Sequence, residues 1–388
     1  MKTNKFLLGL LAVATLFVVG CAADDTADVT INQGGGSNPI NPSDLVIGGT
    51  LSENLTLSTG NEYNLTSGLI VPEGITLTIE PGVIVRANTS SDVYVAIQQG
   101  GVINAEGTSS NPIVFTSNSA TPNPGDWGGL IILGRAPINS VVGGDATSTS
   151  EIGGLPYGGS IADDDSGIIR YVRIEYSGGA ADAASENNGF SFYGVGSGTT
   201  IDFIQAFEGA DDGVEFFGGT VNASHISVVG AQDDSVDWTE GFTGTLTDVY
   251  IEHRQSHDKG IEGDGFNTDI GNNSNPVFWS APTINNITIN GLGSSNGNEA
   301  IRLRAGTRAI FNNVFIEGFE EGYDLDDEET GNGFSAGDTI VTDITFDDIV
   351  LTLKNDTNVA FDADDFFSGI GNGTGADYDS WNSGWTRN

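Results

Sequence analysis

The stretch from Ile201 to Glu262 nearly repeats itself three times, and this limits the possible folds more than anything else in the chain. The first pass carries Ile204 and Ala206, then Asp211, Asp212, Val214, Glu215 and Phe216. The second carries Ile226 and Val228, then Asp233, Asp234, Val236, Asp237 and Trp238. The third carries Val249 and Ile251, then His257, Asp258, Lys259, Ile261 and Glu262. Val214 and Val236 are 22 residues apart, and Val236 and Ile261 are 25 apart. Repetition at such a period marks a solenoid, in which each unit buries its apolar face by stacking on the next. Inside each unit the alternation of apolar residues with acids has period two, which is a strand with one face inward and one outward. Glycine and aspartate clusters separate the strands as turns. Several short strands in so short a coil give a parallel β-helix. A propeller blade would need about 40–45 residues, and the leucine–asparagine pattern of leucine-rich repeats is absent.

The same positions can be followed along the chain. One strand position holds Val172, Ile204, Ile226, Val249, Ile287, Val314 and Ile344; a second holds Phe190, Val214, Val236, Ile261, Ile301 and Tyr323. Asp248, Asn286, Asn313 and Asp343 stand just before the first position. These residue types tolerate left-handed backbone, so they are expected at corners, with stacked Asn side chains bonding from coil to coil. Residues 134–166, 266–281 and 327–338 are poor in this pattern and are expected to be excursions from the helix. The 56 glycines read as turn positions, because hydrophobic strands recur throughout.

The N-terminus reads as an address. Lys2 and Lys5 precede an apolar run, Phe6 to Val19, too short for a membrane span, and Cys21 follows directly. Val18-Val19-Gly20-Cys21 resembles a lipobox, which implies acylation of Cys21. Residues 1–21 are expected to be the signal, 22–44 a flexible tether, and 45–388 the β-helix domain. Cys21 is the sole cysteine, so no disulfide can form. The acidic residues Asp24 and Asp25 resemble a surface-export signal, which implies an outer-membrane, surface-exposed lipoprotein. A net charge of −40 disfavours nucleic acid and anionic lipid as partners. It suits divalent cations, cationic partners or neutral glycans.

Ile79-Glu80-Pro81-Gly82, the run from Gly100 to Thr108, Asn111 to Ser117 and Asp126 to Pro137 resemble secreted right-handed β-helix proteins of Bacteroidetes. Arg170 to Tyr176, Asp211 to Gly219 and Trp381 to Trp385 resemble them too. The resemblance implies a pectin-lyase-like architecture and a surface address, and it carries over no catalytic residues.

Three constellations are candidates for chemistry. In register, the outward residues of the second strand position are Ser191, Glu215, Asp237, Glu262, Arg302 and Asp324, then Tyr193, Phe217, Thr239, Asp264, Arg304 and Asp326. Adjacent acids repel, and Asp211, Asp212, Asp233, Asp234 and Asp258 add to Glu215, Asp237, Glu262 and Asp264. Converging carboxylates suit calcium, a hard cation with oxygen ligands. The second constellation is His253, Arg254, His257 and Lys259 beside Asp234 and Asp237. It would suit a polysaccharide lyase with a basic proton acceptor, or a glycoside hydrolase with two carboxylates. A basic turn neutralising an acidic face explains the same residues without chemistry. The third is the set Tyr193, Phe217 and Tyr250, expected outward as platforms for sugar rings. Trp381 and Trp385 are expected to cover the open end of the solenoid. The leading function is non-catalytic binding of a glycan or a cell-surface partner. The alternatives are an extracellular lyase or hydrolase, and a structural spacer.

Overall fold

The computed structural model describes residues 45–140, 147–180, 187–255, 257–268 and 276–388. Residues 1–44, expected to be signal and tether and including Cys21, lie outside the described residues. The chain winds into a right-handed parallel β-helix whose strands form one continuous sheet of 22, with parallel pairing throughout. Val214 pairs with Val236 and Val236 with Ile261, so the repeat read in the sequence is the stacking repeat of the coils.

Each regular coil has three faces. In one, the strand Asn222–Val229 supplies the first and second faces with a bend at His225, and Val236–Thr239 supplies the third. The bend is a left-handed residue in every such coil. Tyr171, Phe203, His225, Asp248, Asn286, Asn313 and Asp343 all have φ between 50° and 60°. Asn and Asp accept this backbone through local hydrogen bonds. The Asn286 amide donates to Asp248 at 2.9 Å and the Asn313 amide to Asn286 at 2.8 Å, as expected for a stacked corner. At the earlier coils aromatic stacking takes over this contact. The Tyr171, Phe203 and His225 rings stack at 4.3 and 3.9 Å.

The core is a column of inward residues, among them Val214, Phe216, Val236, Trp238, Ile261, Ile287 and Leu303. Burying a side chain of this size stabilises by about 1.5–3 kcal/mol. Trp238 is the largest of them on the third face, and the next coil makes room with Gly263. A Cβ there would lie 2.5 Å from the indole.

The excursion after Leu133 folds back onto the third face. Its hairpin pairs Thr147–Thr149 with Pro156–Gly158, and Ile138, Ile152 and Tyr157 build a second core over Leu133, Tyr193 and Phe217. The 327–338 insertion contains a helix, Glu328–Ala336. Asp327 caps its N-terminus by accepting from Thr330, and Gly337 ends it in left-handed backbone.

The expectation for Trp381 and Trp385 is corrected by the fold. The open end is closed by Phe334, Phe361, Phe366 and Phe367, whose rings pack 4.5–5.0 Å apart. The last residues instead run back along the second face as a strap. Gly371 donates to Ile344, and Thr374 and Gly375 donate to Asn313. Tyr378 then stacks on Tyr250 at 3.7 Å. Trp381 and Trp385 stand edge-on to Phe203, and Trp385 also to Tyr171. Arg387 ends the strap on Gln205 and Glu175. The aromatic half of the corner, which water would otherwise reach, is what the two tryptophans cover.

Candidate functional site

The third face carries the acidic row in the expected register. Glu215 pairs with Asp237, Asp237 with Glu262, Glu262 with Arg302, Arg302 with Asp324, and Asp324 with Lys354. Neighbouring coils are about 4.8 Å apart. Ser191, the first member, is buried, while Glu215, Asp237, Arg302 and Lys354 keep part of their surface open.

The turn before each strand adds the paired aspartates, and these have work inside the fold. Asp212 accepts the Asp234 backbone N–H at 2.9 Å, and Asp234 accepts that of Lys259 at 2.8 Å. Each carboxylate therefore stitches its coil to the next. Asn188 donates to Glu215 at 2.6 Å.

Neutralisation along the row is uneven. The Lys259 ammonium lies 2.6 Å from Asp258, 3.1 Å from Glu262 and 3.6 Å from Asp234. Burial opposes its charge, but Asp234 and Glu262 hold its pKa above the ordinary lysine value. Arg304 grips Glu262 at 2.5 Å and Asp264 at 2.6 Å. Burial still raises Asp264 to about 6 against the pull of Arg304. Among the described residues, Asp212, Glu215 and Asp237 form no ion pair. Burial, then the neighbouring acids, pushes all three well above the usual carboxylate range. Asp234 is also pushed up by burial, with Lys259 pulling the other way. Oδ1 of Asp237 is shielded from water and has no hydrogen-bond partner among the described residues.

Carboxylate oxygens of Asp212, Glu215 and Asp237 lie within 4.8 Å of one another, and so do those of Asp234, Asp237 and Glu262. Asp211, Asp212 and Asp233 form a third such group, and Asp233, Asp234 and Asp258 a fourth. The groups that include Asp234 already hold the Lys259 ammonium. The Asp212, Glu215 and Asp237 group offers oxygen donors and, among the described residues, has no ion pair, Arg304 acting on Asp237 only from beyond ion-pair distance; this is the donor set a hard divalent ion takes.

The basic constellation comes apart in space. Lys259 joins the acidic row. Arg254 instead turns to Glu208 at 2.7 Å, with its guanidinium over Phe207. His253 is buried against His257 and Phe319, and burial lowers its pKa to about 3. It is a neutral packing residue at ordinary pH. His257 stacks on it at 4.3 Å.

The aromatic platform is corrected. Tyr193 and Phe217 point outward from the helix as expected, yet they are only 2% and 1% exposed. They stack on each other at 3.9 Å, and Tyr157 of the excursion covers Tyr193 at 4.9 Å. The poverty of residues 134–166 in core pattern concealed that its few apolar side chains are a lid. Tyr250 lies on the second face, where Tyr378 occupies its ring. None of the three offers a free ring to a sugar.

Glu240 escaped the sequence reading. Fully buried, it accepts from Ser140 at 2.5 Å, Tyr157 at 2.6 Å and Asn267 at 3.2 Å. Burial raises its pKa, opposed by these three donors. It pins the excursion and the 265–268 turn to the edge of the third face. The signal was available, since Glu240 is an acid directly after the Val236–Thr239 strand, but nothing local marked it as buried.

Searches of curated proteins and of solved structures return no match. The family model of the pectate-lyase-like β-helix domain matches residues 49–386. With that match covering most of the chain and the parallel coils agreeing with it, the protein belongs to the pectate-lyase-like β-helix domain family.

Proposed function

We propose that this is a lipid-anchored protein of the outer membrane surface that binds a glycan along the third face without turning it over. The observation that carries the reading is the row from Glu215 to Lys354. It presents polar side chains at one spacing over about 24 Å. A repetitive surface matches a repetitive ligand, each coil adding a weak contact whose effects multiply. The engagement of Asp212 and Asp234 with backbone amides also favours binding over turnover, because these acids already serve the stacking of the coils. A divalent cation belongs to the same reading. Calcium at Asp212, Glu215 and Asp237 would supply the charge the protein does not. It would also give neutral sugars a ligand for their hydroxyls.

A glycan array combined with an assay for reducing ends and unsaturated products tests the reading. Binding without turnover, weakened in Glu215→Gln and Asp237→Asn, is expected. Calcium added to chelator-treated protein should raise its melting temperature, and less so in those two variants. Absence of a thermal shift removes the cation. Metabolic labelling with a lipid probe should mark the full chain and not Cys21→Ser.

One observation favours a second reading. Glu215 and Asp237 are adjacent, partly open, and pushed toward their protonated forms by burial and by one another. A general acid in a glycoside hydrolase needs that state. Turnover that disappears in Asp237→Asn would replace binding with hydrolysis. If neither binding nor turnover is found, a spacer is the remaining account.

A further inference from the structure

A cavity of about 480 Å³ lies where the third face meets the 328–336 helix. Phe266 and Trp279 form one wall, with their rings 5.9 Å apart and tilted by 53°. Arg304, Asp326, Glu328 and Glu329 form the other. The aromatic wall is fixed in place. The buried guanidinium of Arg308 lies 5.2 Å from the Trp279 ring and bonds Glu329 at 2.7 Å, while Gly306 leaves no side chain against the indole. Every cation near the cavity is already committed. Arg304 holds Glu262 and Asp264, and Arg302 holds Asp326 at 2.6 Å. Glu328 is exposed and has no ion-pair partner among the described residues. The cavity thus joins a partly open indole to an excess of carboxylate. A flat aromatic face stacks on a sugar ring, and the same face and the acids attract a cation.

We infer that this cavity binds a hexosamine unit carrying a free, protonated amine, with the ring against Trp279 and the ammonium toward Asp326 and Glu328. The inference rests on the glycan-binding reading and narrows it to a cationic sugar. Calorimetric titrations with a fully deacetylated chitin hexamer, its fully N-acetylated counterpart and an oligogalacturonate of equal length test it. The deacetylated hexamer should bind about tenfold more tightly than the acetylated one, and the uronate should not bind, as a cation-selective aromatic site requires. A net charge of −40 attracts any polycation, so the deciding variant is Trp279→Ala, which leaves the charge unchanged. It should weaken the deacetylated hexamer by about fivefold to tenfold, and Trp279→Phe should restore part of the loss. Glu328→Gln on the exposed helix should weaken it with no change in melting temperature. Binding of the deacetylated hexamer that is indifferent to Trp279→Ala overturns the cavity. Equal affinity for both hexamers, lost in Trp279→Ala, overturns the amine preference and leaves glycan binding standing. If no glycan of any charge binds, the broader reading fails with it.

Discussion

The ammonium of Lys259 meets Asp258, Glu262 and Asp234 in a setting where the residue is only 5% exposed. Burying an ion is costly, and the cost is offset only while the partners remain. Lys259→Met would leave Asp234 buried without its cation and Glu262 with Arg304 alone. It should destabilise the protein by about 3–5 kcal/mol in urea titrations; a loss under about 1 kcal/mol would mean that Arg304 and water suffice. One row-step away the sign reverses. Glu215 and Asp237 have folded pKa values raised above their unfolded ones. Their contribution is therefore fully present below the unfolded carboxylate value of about 4 and is lost as pH rises through the folded values. His253 acts oppositely. Held at about 3, below its unfolded 6.5, it contributes above the unfolded value and loses that contribution as pH falls toward 3. Comparing a variant with the parent at each pH cancels the histidine. Asp237→Asn in chelator should be more stable than the parent by about 1 kcal/mol at pH 8, with the gap closing as pH falls to the unfolded carboxylate value of about 4. A variant equally weakened at both pH values would show that repulsion does not govern this position.

At the scale of the element, the corner ladder is the most revealing piece. Asn313 combines left-handed backbone at φ 60° with a bond to Asn286, and its side-chain oxygen accepts from Thr374 and Gly375 of the strap. Asn313→Ala loses the bonds and strains the backbone, whereas Asn313→Gly loses the bonds alone. The alanine variant should cost about 2–3 kcal/mol and the glycine variant about 1 kcal/mol less; equal costs in thermal denaturation would mean that the backbone is not strained. This corner was legible in sequence from Asp248 onward, because Asn and Asp advertise left-handed backbone. Its continuation through Tyr171, Phe203 and His225 was not, since nothing in an aromatic residue signals φ near 50°. The acidic row was legible for the same kind of reason. Strand alternation and coil period together fix which side chains become neighbours. What stayed hidden depends on segments distant in sequence. The lid that buries Tyr193 and Phe217 comes from the excursion after Leu133, the partner that covers Tyr250 is Tyr378, and the cavity wall is completed by Trp279 from an inserted loop. No periodicity relates these segments to the coils they cover.

The whole molecule couples a one-dimensional stack to a strap that runs the other way. In a solenoid each coil contacts only its neighbours, so stability is close to a sum of local terms and the ends fray first. The strap breaks that rule. It leaves the end near Ile344, crosses the coils of Asn313, Thr288, Tyr250 and Ser227, and finishes on Gln205 and Glu175. Coils far apart in the stack therefore share one segment, and opening any of them must release part of it. Truncation after Asn372 would remove Tyr378, Trp381 and Trp385 and bare the Tyr171, Phe203 and Tyr250 rings. Trp385 is fully buried, and deleting a side chain of that kind costs about 3–5 kcal/mol on its own. The truncated chain should keep its far-ultraviolet strand signal, because the ladders are untouched. Its amides from Gln205 to Thr288 should exchange hydrogen faster, and its thermal transition should broaden as the coils uncouple. An exchange increase confined to the last coils, with a transition as sharp as the parent's, would show that the strap only decorates the second face and that the stack alone sets the cooperativity.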